Sequence, residues 1–263
     1  MSLFNYYKYP NVPEGMDLPR KKGVMRLFEL LGRDMLHFFL AGLLALLSLI
    51  PFIIGMIYAV YSHSILVMFV TGIVGGILAA PQICGVADTL MRSMRDEAGF
   101  WWHTYKKAWK NNAKSSLFPG GMFGLIFAAQ LFFFYHIEFL GEGKFPLIML
   151  IVSLILSFGL ASFVFLMLVV MELPMGALFR NAAVLFIGYL PRGILAALFQ
   201  GVWYIACILF YPFSFLFILL GNVWFPMLLS AHTLYKPLNE RLGIEEAIAK
   251  RKNEADSGSA DNN

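Results

Sequence analysis

The chain contains little charge for its length. Only 14% of its 263 residues are Asp, Glu, Lys or Arg, whereas 59% are hydrophobic. Soluble domains carry about 25% charged residues, so this composition cannot supply a surface that faces water on all sides. It excludes an ordinary soluble enzyme or binding domain and predicts an integral membrane protein.

Cysteines and catalytic motifs are also scarce. The two cysteines, Cys84 and Cys207, lie in apolar runs, where a thiol behaves as a small apolar group. Neither a disulfide framework nor a cysteine-based metal site is expected. The sequence has no HExxH motif and no Gly-rich phosphate loop with Lys, and the pair His136/Glu138 is too small a set for a metal site. We therefore expect no enzymatic activity, no metal and no cofactor.

What the chain does contain is long apolar runs. A transmembrane helix needs about 20 apolar residues. The run 193–235 is long enough to cross twice, and Pro212 is the natural turn within it because proline disrupts a helix. We predict an all-α polytopic membrane protein, in which Pro51 and Pro81 kink or interrupt the first two spans. The six predicted transmembrane helices are 35–61, 65–86, 117–140, 145–171, 194–210 and 213–234.

The distribution of lysine and arginine predicts the orientation of these spans. With six spans, all 20 lysines and arginines except Lys144 fall on one side of the membrane. Because basic residues concentrate in cytoplasmic loops, both termini are predicted to be cytoplasmic. The predicted organisation is a cytoplasmic segment 1–34, a membrane domain 35–235 and a cytoplasmic tail 236–263 that is disordered from about residue 253.

One cytoplasmic segment, "GFWWHTYKKAWKNNAKSS" at 99–116, combines tryptophan with lysine. It belongs to a predicted amphipathic connecting helix at about 92–114. At about 100° per residue its aromatic side chains and its lysines separate onto opposite faces. Such a helix suits either the lipid–water boundary or docking of a protein partner; nucleic acid is not expected, because stacking platforms need aromatic and basic groups together. The candidate interface residues are Trp101, Trp102, Tyr105, Lys106, Trp109, Lys110, Asn112 and Lys114.

Within the spans, the polar residues are mostly amides. Gln82, Gln130, Gln200 and Asn222 either make hydrogen bonds between helices or line a polar pathway. Asp88 and Arg92 have the spacing of a helical ion pair.

Two GxxxG motifs permit close contact between helices. They are formed by Gly72 with Gly76 and by Gly120 with Gly124. Packing inside one chain and a subunit interface in a homo-oligomer are the two alternatives for these motifs.

Several segments resemble the YesL family of bacterial integral membrane proteins. They are "MSLFNYYKYPNVPEG" and "RKKGVMRLFELLGRDM" near the start, "LIP" at 49–51 and, most specifically, "APQICGVADTLMRSMRDEAGFWWHTYKKAWKNNAKSS" at 80–116. Family members tend to be encoded beside carbohydrate ABC importers, which implies by association a role in sugar uptake or its regulation. The resemblance supplies no catalytic residues.

These observations lead to two functional hypotheses. The first is a non-enzymatic accessory or regulatory subunit in a bacterial cytoplasmic membrane, with a carbohydrate ABC importer permease as partner and the bilayer as its surroundings. The second is an independent transporter or channel for a small neutral or polar solute, with the four amides along its pathway.

Overall fold

The fold is a bundle of long helices. The structure, a computed structural model, describes residues 20–97, 99–141 and 143–247, and these contain helices and turns but no β-strand. Residues 1–19 and the tail predicted to be disordered from about 253 lie outside the described part. The α-helices are α1 Val24–Tyr61, α2 Ile65–Met94, α3 Trp101–Tyr135, α4 Phe145–Val170, α5 Met175–Gly188, α6 Leu190–Leu209, α7 Phe215–Gly221 and α8 Trp224–Leu242.

The helix lengths and composition confirm a multi-pass membrane protein. Five helices, α1 to α4 and α6, are long and apolar enough to cross a membrane, and α7 with α8 forms a sixth crossing if the bent pair is one span. Between 22% and 39% of the most apolar window of each of the five is buried inside the protein. Most of this apolar surface therefore faces outward, which suits lipid rather than water.

Short turns connect α1 to α2, α2 to α3 and α3 to α4, whereas helix α5 lies between the crossings α4 and α6. Ser64 is the N-cap residue just before α2. Its side chain accepts a hydrogen bond from the Val67 amide at 3.3 Å, which satisfies one free donor at the helix start. The turn predicted at Pro212 separates α6 from α7. Of the two effects predicted for Pro51 and Pro81, a kink or an interruption, the interruption does not occur, because both prolines lie inside continuous helices. Neighbouring groups in a helical membrane protein can tolerate the missing backbone donor.

The structure of the third crossing shows that the prediction of a separate connecting helix was wrong. Residues 92–114 do not form a separate helix: α2 continues to Met94, a short turn follows, and α3 runs without a break from Trp101 to Tyr135. At 1.5 Å per residue α3 is about 52 Å long, whereas a hydrocarbon core is about 30 Å thick. The Trp/Lys segment is thus the extension of a span, and the predicted span 117–140 ends earlier, with a 3₁₀ turn at Ile137–Leu140.

The last crossing is broken, whereas the run 213–234 was predicted as one helix. Between α7 and α8 the axis bends by 52°. Asn222 at the break has a φ of 27° and is only 2% exposed. Its Oδ1 accepts hydrogen bonds from the amides of Val223 at 2.7 Å and Trp224 at 3.2 Å, so the side chain caps the start of α8.

The two ends of the bundle differ in chemistry. At one end, here called the charged end, the start of α1, the α2–α3 turn and the end of α8 meet through ion pairs. At the other, the opposite end, helices α1, α3 and α6 end, and the turns after α1 and α3 meet through the rings of His63 and His136. The most deeply buried side chains cluster towards the charged end, among them Leu90, Met91, Met167, Leu228 and Leu234. The charged end is therefore the better-packed half of the protein.

Candidate functional site at the charged end

A seam of glycines places α3 directly on α2. A Cβ atom added to Gly76 would lie 2.8 Å from the Cα of Gly124, and one added to Gly72 would lie 2.8 Å from the Cα of Leu125. The Gly120 carbonyl is also close to Gly76. Of the two alternatives for the GxxxG motifs, the structure therefore shows packing inside one chain.

The same contact continues to the Trp/Lys segment. Tyr105 is 3% exposed and lies against Gly85, where an added Cβ would meet its ring Cζ at 2.6 Å. The Tyr105 hydroxyl donates a hydrogen bond of 2.5 Å to Oε1 of Gln82. On the α1 side, the ring of Trp101 stacks on His37 with 5.8 Å between centroids. Contacts with α2 and α1 thus keep this segment packed along the bundle.

Burial within this segment follows the predicted amphipathic pattern with one shift. Tyr105 and Ala108 are buried, and the four lysines are exposed, as the helical periodicity indicates. Trp109, however, is 37% exposed and Trp102 is 43% exposed. The reason is that α3 packs against α2 along a narrow glycine and tyrosine stripe, which leaves the edges of the aromatic face uncovered.

Exposed tryptophan and lysine therefore lie side by side on the outer surface of α3, so the predicted separation onto opposite faces is wrong for Trp102 and Trp109. The Nζ atom of Lys106 lies 5.4 Å from the centre of the Trp102 ring, within the range of a cation–π interaction. Aromatic rings beside mobile cations can bind an acidic, partly apolar surface on a protein or a lipid headgroup layer. We call this surface, made of Trp102, Lys106, Trp109, Lys110 and Lys114, the Trp/Lys face.

Near the start of α3, one carboxylate forms ion pairs with three arginines. Asp96, in the α2–α3 turn, lies 2.7 Å from Nε of Arg20 and accepts a hydrogen bond from Nη2 of Arg26 at 2.7 Å. It also pairs with Nη1 of Arg33. Arg26 is the most buried of the three, with 8% of its side chain exposed, and it also donates to the carbonyl of Met94 at 3.2 Å. Asp96 thereby connects α1 to the turn that starts α3.

This set of ion pairs extends to the segment that follows α8. Arg20 also pairs with Glu245, which accepts a hydrogen bond of 2.6 Å from the Tyr235 hydroxyl. Gly243, with a φ of 57°, ends α8 in the left-handed conformation that glycine adopts without strain. Five residues thus form one ion-pair network, which we call the Asp96 latch: Arg20, Arg26, Arg33, Asp96 and Glu245.

A neighbouring pair was predicted from spacing. Nε of Arg92 lies 2.8 Å from Oδ2 of Asp88, which confirms the ion pair between positions i and i+4. Glu97 then bridges Arg92 at 3.0 Å and Arg95 at 2.8 Å. The charged end is therefore a network rather than a set of isolated pairs.

The latch shifts the protonation of its carboxylates. Burial of Asp96 would raise its pKa, but hydrogen bonds and positive charge from Arg33 and Arg26 outweigh burial and hold the pKa below the usual value. Burial of Glu245 would likewise raise its pKa, but hydrogen bonds from Tyr235 and Arg20 outweigh burial and hold the pKa below the usual value. Both groups therefore favour the charged form more strongly in the folded protein than in the unfolded chain.

We expect the detergent-solubilised protein to lose thermal stability on acidification. A depressed carboxylate pKa contributes stability above the unfolded value, about 3.9 for Asp and 4.3 for Glu, and this contribution disappears as the pH falls through the folded pKa. The melting temperature, followed by tryptophan fluorescence, should be flat near pH 7 and fall below about pH 4. Asp96→Asn should flatten that fall; an unchanged acid slope in this variant would contradict the assignment.

The four amides lie at four different places. Gln82 bonds to Tyr105 between α2 and α3. Gln130 donates to Ser153 and Ser157 between α3 and α4 at 3.1 and 3.0 Å. Gln200 donates to Ser162 at 2.7 Å and to Ser230 at 3.1 Å, which connects α4, α6 and α8, and Asn222 caps the helix break. The structure does not bring the four side chains to one common site.

The opposite end carries a small histidine contact. The rings of His63 and His136 are 4.4 Å apart, and Nε2 of His136 lies 3.1 Å from the Val60 carbonyl. Glu138 approaches Nδ1 of His136 at 3.5 Å. Across the described ranges, no three His, Cys, Asp or Glu side chains are grouped so that they could hold a metal ion.

The Asp96 latch is the feature that reasoning from sequence missed. Its members are far apart in the chain, so no local motif marks them. One signal was available: Arg26 and Arg33 are seven residues apart and therefore share a face of α1, which indicates a common acidic partner. Comparison with known proteins adds no assignment, since no family model, no curated protein and no solved structure matches the chain. The resemblance to the YesL family stays a prediction.

Proposed function

We propose that this protein is a non-enzymatic accessory or regulatory subunit that docks a membrane partner through its charged end. The observation that carries the proposal is the Trp/Lys face. It lies on the part of α3 that exceeds the length needed to cross a bilayer, and both of its tryptophans are exposed. Exposed tryptophan is uncommon on surfaces without a partner and enriched at interface hot spots.

The Asp96 latch supports this role by making the face rigid. It fixes the turn that starts α3 to α1 and to the segment after α8. A surface held in one conformation loses less entropy on binding than a mobile one. We place the charged end in the cytoplasm of a bacterial plasma membrane, in accordance with the positive-inside rule.

For the partner we propose the permease of a carbohydrate ABC importer. Support comes from the resemblance to the YesL family and from the chemistry of the face, which suits an acidic surface with apolar patches at the cytoplasmic boundary. A carbohydrate importer also needs no chemistry from an accessory subunit, which agrees with the expectation of a non-enzymatic protein.

The Trp102→Ala/Trp109→Ala double variant should lose the importer. Removing an interface hot-spot tryptophan costs about 2 kcal/mol or more, which is roughly 30-fold in affinity for each residue if both take part. Affinity purification in mild detergent, with mass spectrometry for the permease subunit, measures the effect. Both tryptophans lie at the surface, 43% and 37% exposed, so the variant should lose only a small part of its thermal stability.

A matched control removes aromatic rings from the opposite end. Tyr61 and Phe213 are 82% and 87% exposed, and the Tyr61→Ala/Phe213→Ala variant should retain the permease. Absence of the permease from the wild-type preparation would overturn the proposed partner. Equal retention by both double variants would overturn the proposed face.

The broken crossing favours a second candidate, an independent transporter. Discontinuous helices in transporters expose free backbone groups to substrates and ions near the bilayer midplane. Here Asn222 satisfies the first amides of α8, and Nε1 of Trp224 donates to the Leu220 carbonyl at 2.9 Å, so the break leaves few free groups. Solute uptake by proteoliposomes containing this chain alone would establish the transporter and reject the accessory role.

A further inference from the structure

An apolar groove lies between α3, α4 and α6 in the half of the bundle nearer the opposite end. Its volume is about 250 Å³, and it opens outward between the helices. The floor is one face of α4. The lining includes Leu147, Leu154 and Phe158 of α4, Phe134 of α3, and Gly201 and Ile205 of α6.

The groove is open at one end and closed at the other. Near the opposite end, Leu147 is 41% exposed and Phe134 is 42% exposed. Towards the middle of the bundle, the ring of Phe158 packs on Phe127 at 4.6 Å and on Tyr204 at 5.8 Å, which closes the groove with three aromatic rings. An occupant can therefore enter from the outer half or through the side that opens between the helices.

Length and width restrict the occupant. From Leu147 to Phe158 the helix α4 rises about 17 Å, which is close to half of a hydrocarbon core of about 30 Å. The groove, at about 250 Å³, is narrow over that length, whereas a helix with its side chains is at least about 10 Å across. A single extended hydrocarbon chain therefore suits it better than an inserted helix.

The apolar character of the wall argues against water as the occupant. Gln130, the one amide in the lining, is 8% exposed and bonds to Ser153 and Ser157. The Tyr204 hydroxyl is the other polar side-chain group in the lining. A wall this apolar holds water poorly, and an unfilled groove forfeits dispersion contacts. The material that surrounds the groove in a membrane is the acyl chain of a lipid.

We propose that this groove holds one acyl chain of a phospholipid from the leaflet at the opposite end. The tail extends along α4 and ends against the Phe127–Phe158–Tyr204 rings, while the headgroup stays outside at the level of Leu147. Three helices enclose the tail, so it exchanges more slowly than lipid that touches the flat outer faces. The absence of a side chain at Gly201 widens the closed end, since an added Cβ would lie 3.2 Å from Leu154.

The experiment uses the intact chain in nanodiscs of phosphatidylcholine and phosphatidylglycerol, with a small fraction of phosphatidylcholine that carries a diazirine on one acyl chain. After irradiation, peptide mass spectrometry maps the labelled residues. Labelling in the groove should exceed that at exposed apolar residues elsewhere, such as Ile54 (63% exposed) and Val202 (62% exposed), by roughly tenfold, equivalent to 1.4 kcal/mol. Uniform labelling would mean ordinary boundary lipid and would overturn the proposal.

A filled-groove variant provides the second arm. Ile205→Trp places a large side chain in the groove at a position that is already 40% exposed, so the fold should tolerate it. Labelling of α3 and α4 within the groove should fall to background, whereas the matched Val202→Trp variant on the same helix should leave it unchanged. Undiminished groove labelling in Ile205→Trp, or cross-links between two protein copies through the groove, would overturn the proposal.

Discussion

Gly76→Ala should destabilise the protein by about 2–3 kcal/mol, the cost of overpacking a close contact. The added methyl group would lie 2.8 Å from the Cα of Gly124 and nearer still to the Gly120 carbonyl. These are backbone atoms, which cannot rotate away as a side chain can, so α2 and α3 must move apart. Alanine favours a helix over glycine by about 1 kcal/mol, and the contact should outweigh this gain. Thermal unfolding in detergent should show a melting temperature lower by roughly 5–10 °C.

Gly32→Ala is the matched control, because Gly32 lies inside α1 with no heavy atom within 4 Å of an added Cβ. Helix propensity acts alone there, and the variant should be neutral or up to about 1 kcal/mol more stable. Gly76→Leu should prevent recovery of monodisperse protein in size-exclusion chromatography. If Gly76→Ala melts at the wild-type temperature, the close α2–α3 seam is wrong.

Asp96→Asn should cost about 2–3 kcal/mol, the upper range for hydrogen bonds to charged groups. The substitution keeps the size of the side chain but removes the charge that Arg20, Arg26 and Arg33 share. The guanidinium of Arg26 is largely buried and would lose its main counter-charge, which is more harmful than loss of an exposed pair. Hydrogen exchange should increase in the first turns of α1 and at the start of α3, together with a lower melting temperature.

Glu240→Gln makes the same change of charge at the same end of the bundle. Glu240 pairs with Lys236 at 3.6 Å, and the two side chains are 46% and 70% exposed. An exposed pair of this kind contributes about 0–1 kcal/mol, so stability should barely change. Equal melting temperatures for the Asp96 and Glu240 variants would show that the latch does not hold the charged end together.

The sequence predicted the approximate position of the five single-helix crossings, and of a sixth if α7 and α8 form one span, because the bilayer imposes a minimum apolar length on each crossing. The fourth crossing was expected at 145–171 and occurs at Phe145–Val170. Where the structure departs from the prediction, the local sequence gave only a weak signal for a helix boundary, and the surrounding structure decided where the helix ends. The polar segment before Leu117 contains no helix breaker, so it joins the span that follows it as the single helix α3.

The break at Asn222 and the Asp96 latch show why the remainder was missed. Gly221 and Asn222 are residues that favour turns, but hydropathy alone treats them as part of an apolar run. The side-chain cap that stabilises the break is visible only in three dimensions. The latch joins residues 20, 96 and 245, and no rule of local spacing connects positions so distant in a chain.

The positions of the glycine seam and the latch imply an order of assembly. The seam joins α2 and α3, which follow each other in the chain, and contacts that are local in sequence form with little loss of chain entropy. The contact between Arg20 and Glu245 cannot form until α8 has been made and inserted. During synthesis the α2–α3 hairpin is therefore available to fold early, whereas the charged end closes last and marks completion of the whole bundle.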